Sequence, residues 1–187
     1  MSSRKLTNTL LALVLTSSTF ALPSVPAPRK SPEFTIYEPS GKTERLSSLK
    51  GKVVVIEFLF VRSQHCLRVA QTLNKLQAEL GPHGFQPVGV VFDPPNSPST
   101  GGQILSSMVD YFKLTYPVGY SAKSDVDSYL GRTGNQVLNI PQLVVIDRAG
   151  IIRATSGGAG GDPKLEDENS LRILIDSLLN ESGPARR

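Results

Sequence analysis

One cysteine in 187 residues excludes an internal disulfide, a four-cysteine zinc site and a CxxC redox pair. Two histidines leave little room for a histidine-built metal centre, and neither a metal nor an organic cofactor is expected. Long hydrophobic runs are missing as well. The only sizeable uncharged one, around Leu10 to Leu15, is too short and too rich in Ser and Thr for a helical membrane protein. Charge of one sign is not concentrated anywhere. Twenty Lys and Arg against 16 Asp and Glu give +4, and the basic pairs Arg29-Lys30 and Arg186-Arg187 are read as solvated ends. Nucleic-acid binding needs clustered cations and is not expected. No internal repeat is present. What remains is a chain 39% hydrophobic and 19% charged, ordinary for a globular protein of one domain plus a terminal extension.

Residues 1–21 place Arg4 and Lys5 before Leu10-Leu-Ala-Leu-Val-Leu15, then Thr16-Ser-Ser-Thr-Phe-Ala21. A positive end, a short apolar core and small residues before a cut after Ala21 form the pattern of a secretory signal. The bland alternative is a short hydrophobic helix or an uncleaved anchor. No cysteine follows to carry a lipid. The expected destination is periplasmic or otherwise extracytoplasmic, with membrane contact only through an uncleaved signal. Residues 22–33 hold Pro23, Pro26, Pro28 and Pro32. Proline at that density disfavours helix and ladder, so an extended linker is expected before a folded domain over 34–182 and a short tail over 183–187.

Within the domain, strand-like and helix-like stretches alternate. Phe34–Tyr37 is a short strand candidate. Val53–Phe60 is β-branched and aromatic, almost without polar interruption, as a central strand covered on both faces requires. Gln64–Leu80 follows with Val69/Ala70, Leu73, Leu76 and Leu80 on one helical stripe, ended by Gly81-Pro82. Phe85–Phe92 is a second buried strand, and a loop over Asp93–Gly102 leads to a helix through Ile104, Leu105, Met108 and Phe112. A short helix is expected over Ser124–Leu130. Leu143–Ile146 and Ile151–Ala154 flank a hairpin turn, and Glu168–Leu179 closes the chain as an amphipathic helix. The fold class expected is an α/β sandwich, a central mixed β-sheet flanked by helices. The run Gly157–Gly161 lacks the Lys-Ser/Thr of a phosphate loop and is read as a plain loop.

Four segments in this order resemble the thioredoxin-like redoxins, closest to the exported TlpA/ResA-type thioredoxins and the related AhpC/TSA peroxiredoxin-like group. They are Leu46–Ile56, Phe58–Cys66, Gly84–Asp93 and Asn139–Gly150. The resemblance covers roughly Phe34 to Leu179. It implies a thioredoxin-like sandwich, a thiol-dependent oxidoreductase, and a cis-proline at Pro141 beside the active cysteines. It also implies that the backbone of Ile140 is free to pair with an extended partner.

The departure matters more than the match. The family's first, nucleophilic cysteine falls on Ser63, leaving Ser63-Gln64-His65-Cys66, and no second sulfur can resolve a mixed disulfide from inside the chain. Ser63 is a natural N-cap, and Cys66 then occupies the first helical turn, where free N–H groups favour a thiolate. His65, if protonated, and Arg62 would push the thiol the same way. A serine three residues before a cysteine also resembles the peroxiredoxin arrangement. However, that pattern's proline is Leu59 here, and its arginine falls on Pro141, unless Arg62 or Arg68 substitutes.

The residues leave several readings open. Cys66 shares the apolar stripe of its helix, and a free cysteine packs readily as a small hydrophobe. His65 suits a solvated first-turn histidine as well as an acid–base role. The leading expectation is an exported monothiol oxidoreductase in which Cys66 attacks a disulfide or a peroxide, Ser63 and His65 support it, and Ile140, Pro141 and Arg62 bind substrate. Its partner is a disulfide- or thiol-bearing protein, or a peroxide. The alternative is a non-catalytic module binding an extended peptide, with Cys66 structural. A third is a covalent dimer through Cys66, which needs that thiol at the surface.

Overall fold

The computed structural model describes residues 27–92, 98–133, 136–158 and 160–181. The signal-like segment, residues 22–26 and the 183–187 tail lie outside them. Eight strands form one sheet: β1 (Arg29–Lys30), β2 (Thr35–Tyr37), β3 (Thr43–Arg45), β4 (Val53–Leu59), β5 (Phe85–Val91), β6 (Val118–Tyr120), β7 (Gln142–Ile146) and β8 (Ile151–Thr155). The helices are α1 (Gln64–Leu80), α2 (Pro98–Phe112), α3 (Lys123–Leu130) and α4 (Glu168–Asn180). The strand order is β1-β8-β7-β4-β5-β6-β2-β3. β4–β5 and β5–β6 are parallel, and the remaining pairs are antiparallel.

All seven residues of β4 are buried, which the near-continuous apolar run required. Alternation divides them between two cores. Val53, Val55 and Leu59 face α1, α2 and α4, together with Leu73, Leu76, Leu105, Met108, Leu171 and Ile175. Val54, Ile56 and Phe58 face the other way, onto Phe34, Val126 and Tyr129. There the rings of Phe34, Phe58 and Tyr129 meet at centroid distances of 5.1 to 5.8 Å.

Three differences from the sequence reading have local causes. Arg29 and Lys30, assigned above to the proline-rich linker, pair with Ile152 and Ile151 as an edge strand; the sequence signal of two residues is too short to show as a strand. β3 and β6 also escaped, being three residues each. α2 begins at Pro98, inside the stretch read as loop, because proline is well accommodated in a first helical turn; residues 93–97 of that loop lie outside the described residues.

One end of the sheet is tied together by main-chain and arginine contacts. Ser31 N–H donates to Gly150 O at 2.8 Å and Gly51 N–H to Arg148 O at 3.2 Å. Arg148 donates to the carbonyls of His83 and Glu181, and Arg153 bridges Asp147 and Glu181 at 3.1 and 2.7 Å. Both the exit from β1 and the end of α4 therefore lie against the β7–β8 turn. The start of α1 lies at the other end of β4.

Gly119, central in β6, has no room for a side chain. A Cβ there would stand 2.6 Å from Tyr37 O and from Ile36 Cγ2, so the approach of β2 requires glycine. Gly119→Ala is expected to lower stability by about 1–3 kcal/mol through overpacking, measured as a shift of the urea-unfolding midpoint at unchanged slope.

Candidate active site

β4 ends at Leu59, and the chain turns through Phe60, Val61 and Arg62 before α1. Ser63 caps the helix with extended backbone, φ −87° and ψ 113°. Its Oγ accepts the N–H of Cys66 at 3.3 Å, and its carbonyl accepts the N–H of Leu67 at 3.0 Å. The capping role assigned to Ser63 from the sequence is therefore what the side chain does.

Cys66 has no exposed surface and belongs to the core cluster of Leu59, Ala70, Leu143 and Leu165. Burial pushes its thiol above the ordinary range. The Ser63 hydroxyl and the Phe60 backbone oppose that rise in part, while the neighbouring Glu57 adds to it. The sequence had suggested a lowered value; here loss of solvent outweighs the helix start. A Cys66–Cys66 bridge needs a surface thiol, and this one is not at the surface. His65 is turned elsewhere. Its imidazole is 48% exposed and its Nε2 lies 3.1 Å from Glu166 Oε2, which fastens α1 to the short 3-10 turn Pro163–Glu166. Arg62 is exposed and is not among the groups acting on the thiol.

The loop before β7 reaches the same end of the sheet. The last ladder pair is Phe58–Gln142, so Phe60 and Ile140 stand across from each other just beyond it. The Ile140–Pro141 peptide bond is cis. Pro141 is buried, whereas Ile140 is half-buried and packs against both cores. Its main chain makes no hydrogen bond among the described residues. Phe60 and Phe92 stack with centroids 4.9 Å apart, and Val137 in this loop is 88% exposed. Phe60, Val61, Leu138 and Ile140 are thus half-buried apolar residues near the end of the sheet from which α1 departs.

Glu57 is the residue the sequence reading passed over, although it is the one acid inside an otherwise apolar strand. It is fully buried, and neither carboxylate oxygen has a hydrogen-bond partner among the described residues. Burial raises its pKa far above the usual carboxylate range, and Glu166 raises it further. Cys66 and the phenol of Tyr116 both feel its charge, while Tyr116 itself donates to Ala70 O at 3.2 Å. The arrangement can hold a proton in the interior on the Cys66 side of the sheet. No group of three or more His, Cys, Asp or Glu suited to a metal occurs among the described residues.

Comparison with known proteins agrees with this architecture. The AhpC/TSA family model matches residues 28–155, and the chain belongs to that family. Among solved structures, a candidate thiol:disulfide interchange protein DsbE from Chlorobium tepidum superposes with a TM-score of 0.68 at 24% identity, covering 84% of this chain and all of the other. A candidate protein disulfide isomerase from Bacteroides thetaiotaomicron gives 0.66 at 26% identity, over 84% and 92% of the two chains. A candidate thioredoxin from Neisseria meningitidis gives 0.62 at 27%, over 81% and 91%. The fold is thioredoxin-like, and the single cysteine is consistent with a CxxC whose first position has become serine.

An unpaired buried acid makes stability depend on pH. The folded-state pKa of Glu57 is raised, so its protonated form is favoured by folding. Stability is greatest below the unfolded value and falls as pH rises from there toward the raised folded value. Glu57→Gln removes the ionisation while keeping the shape. It is expected to raise stability at pH 8 by about 1–3 kcal/mol, with the gain shrinking toward pH 4 (thermal melts at both pH values).

Proposed function

We propose that this protein is an exported thioredoxin-fold module that binds an extended segment of a partner polypeptide across the end of the sheet from which α1 departs, without a dithiol cycle. The observation that carries this reading is the placement of the only thiol. A hydroxyl stands where the family has its attacking thiol, and the remaining thiol has no exposed surface. Ser63 still caps α1 and so keeps the shape of the site, while Ile140 offers an unengaged main chain and Val137, Leu138 and Phe60 an apolar flank. An extended chain laid there would pair its backbone with Ile140 and place side chains on that flank. Arg62, exposed at the edge, would meet a carboxylate of the partner. The signal-like pattern of residues 1–21 is the reason for placing the activity outside the cytoplasm.

A second reading has its own support in the contact between Ser63 and the start of α1 and in the buried acid on the thiol's side of the sheet. In it, a conformational opening exposes Cys66. Its thiolate attacks one sulfur of a partner disulfide, forming a mixed disulfide while the other sulfur leaves as a thiolate; an external thiol then attacks the partner sulfur of the mixed disulfide, expelling the Cys66 thiolate and becoming disulfide-bonded to the partner.

Alkylation of Cys66 separates the two. On the binding reading, labelling of the native protein is negligible from pH 6 to 9 and complete after denaturation. Rapid native labelling with a midpoint below the free-thiol value of about 8.5 would establish the second reading instead. Binding of an unfolded, fully alkylated polypeptide is expected to survive Cys66→Ser unchanged and to weaken by about tenfold, near 1.4 kcal/mol, in Val137→Asp. Loss of binding in Cys66→Ser with Val137→Asp unaffected would sink the first reading.

A further inference from the structure

At the end of the sheet remote from Ser63 there is a cavity of about 280 Å³. Three segments build it: Lys30–Glu33 after β1, Leu46–Val54 leading into β4, and Ile146–Gly150 at the β7–β8 turn. The walls are joined to one another. Ser31 N–H donates to Gly150 O, Gly51 N–H to Arg148 O, and Leu46 N–H to Phe34 O. The cavity is thus a product of the tertiary fold and not a gap beside one loop. Leu46, Leu49, Val54 and Ile146 give it an apolar lining, and the exposed Lys30, Lys50 and Lys52 stand at its edge.

Two carboxylates also line it, and both are already engaged. Glu33 Oε1 accepts the N–H groups of Phe34 and Ser47. Asp147 accepts those of Ala149 and Ile151 on one oxygen and is ion-paired through the other to Arg153 at 3.1 Å. Lys52 rests on Gln86 Oε1 at 3.1 Å, a neutral acceptor. None of the three lysines forms an ion pair among the described residues, although Glu44 feels the charge of Lys52. The lining thus carries three lysines against the two carboxylates of Glu33 and Asp147, an excess of positive charge beside an apolar wall, and its volume is at the small end for ligand sites.

We propose that this cavity binds a small organic carboxylate with a short apolar tail, its anionic head held by Lys30, Lys50 and Lys52 and its tail against Leu46, Leu49, Val54 and Ile146. The site is separate from the Ser63 end of the molecule and does not depend on the function proposed above.

Hexanoate titrated into the ¹⁵N-labelled protein tests this, with hexanol and inorganic phosphate as companion probes. Saturable shifts confined to residues 30–33, 46–54 and 146–150 are expected. Hexanol, which has the tail without the charge, should bind at least about tenfold more weakly, the loss of one charge-assisted hydrogen bond. Phosphate, which has charge without a tail, should not displace hexanoate at equal concentration. Lys30→Gln/Lys50→Gln should weaken hexanoate by about tenfold with an unchanged spectrum elsewhere, which shows the variant to be folded. Absence of saturable shifts, equal binding of hexanol, or shifts from phosphate alone would each overturn the proposal. So would association with anionic vesicles in the absence of hexanoate binding, since the lysines would then mark a lipid-headgroup surface.

Discussion

The burial of β4 on both faces is the constraint on which the rest of this structure depends. A strand paired on either side and covered above and below has no solvent face, so every residue it carries is committed to one core or the other. That condition explains the run of valines and isoleucines, and it also explains why its single acid is so costly. Desolvating a carboxylate without a hydrogen-bond donor is unfavourable by roughly 1–3 kcal/mol or more. The strand also fixes the site, since α1 starts where β4 stops and Cys66 falls one helical turn inside, above the face that Glu57 occupies.

Ser63 shows how a position can lose its chemistry and keep its architecture. Serine ranks among the best N-caps, and its oxygen accepts a main-chain N–H that would otherwise lack a partner. Replacing a thiol by a hydroxyl at this place thus leaves the geometry of the helix start intact, and with it the approach of the loop carrying Ile140 and Pro141. The loss falls on reactivity alone. A hydroxyl does not ionise near neutral pH and forms no mixed disulfide, so Ser63 itself cannot take the attacking role of a thiol at that position.

Much of the fold was legible because long elements write themselves in hydrophobic periodicity. The limits of α1 follow from its stripe and from Gly81-Pro82, and β4, β5 and β7 stand out as buried runs. Short strands have no such signature. β1 and β6 exist because longer neighbours offer them hydrogen bonds, and β3 pairs only with the equally short β2; two or three residues cannot announce that in advance. The site was legible in part. The cap at Ser63 and the core register of Cys66 followed from spacing, but the balance between helix start and burial at the thiol depends on the third dimension. The same is true of His65, whose partner Glu166 lies about a hundred residues away in sequence. Glu57 was visible as a letter, and only the closed sheet reveals that its carboxylate meets no donor.

The contacts around the β7–β8 turn bear on orientation. Ser31 is held at Gly150, and Arg148 and Arg153 grip the end of α4 at Glu181, so the chain leaves β1 and ends α4 against the same turn. Anything joined beyond α4 would attach at that pole, at the end of β4 opposite to Ser63. A molecule fastened there would turn the Ser63 end toward the surrounding space.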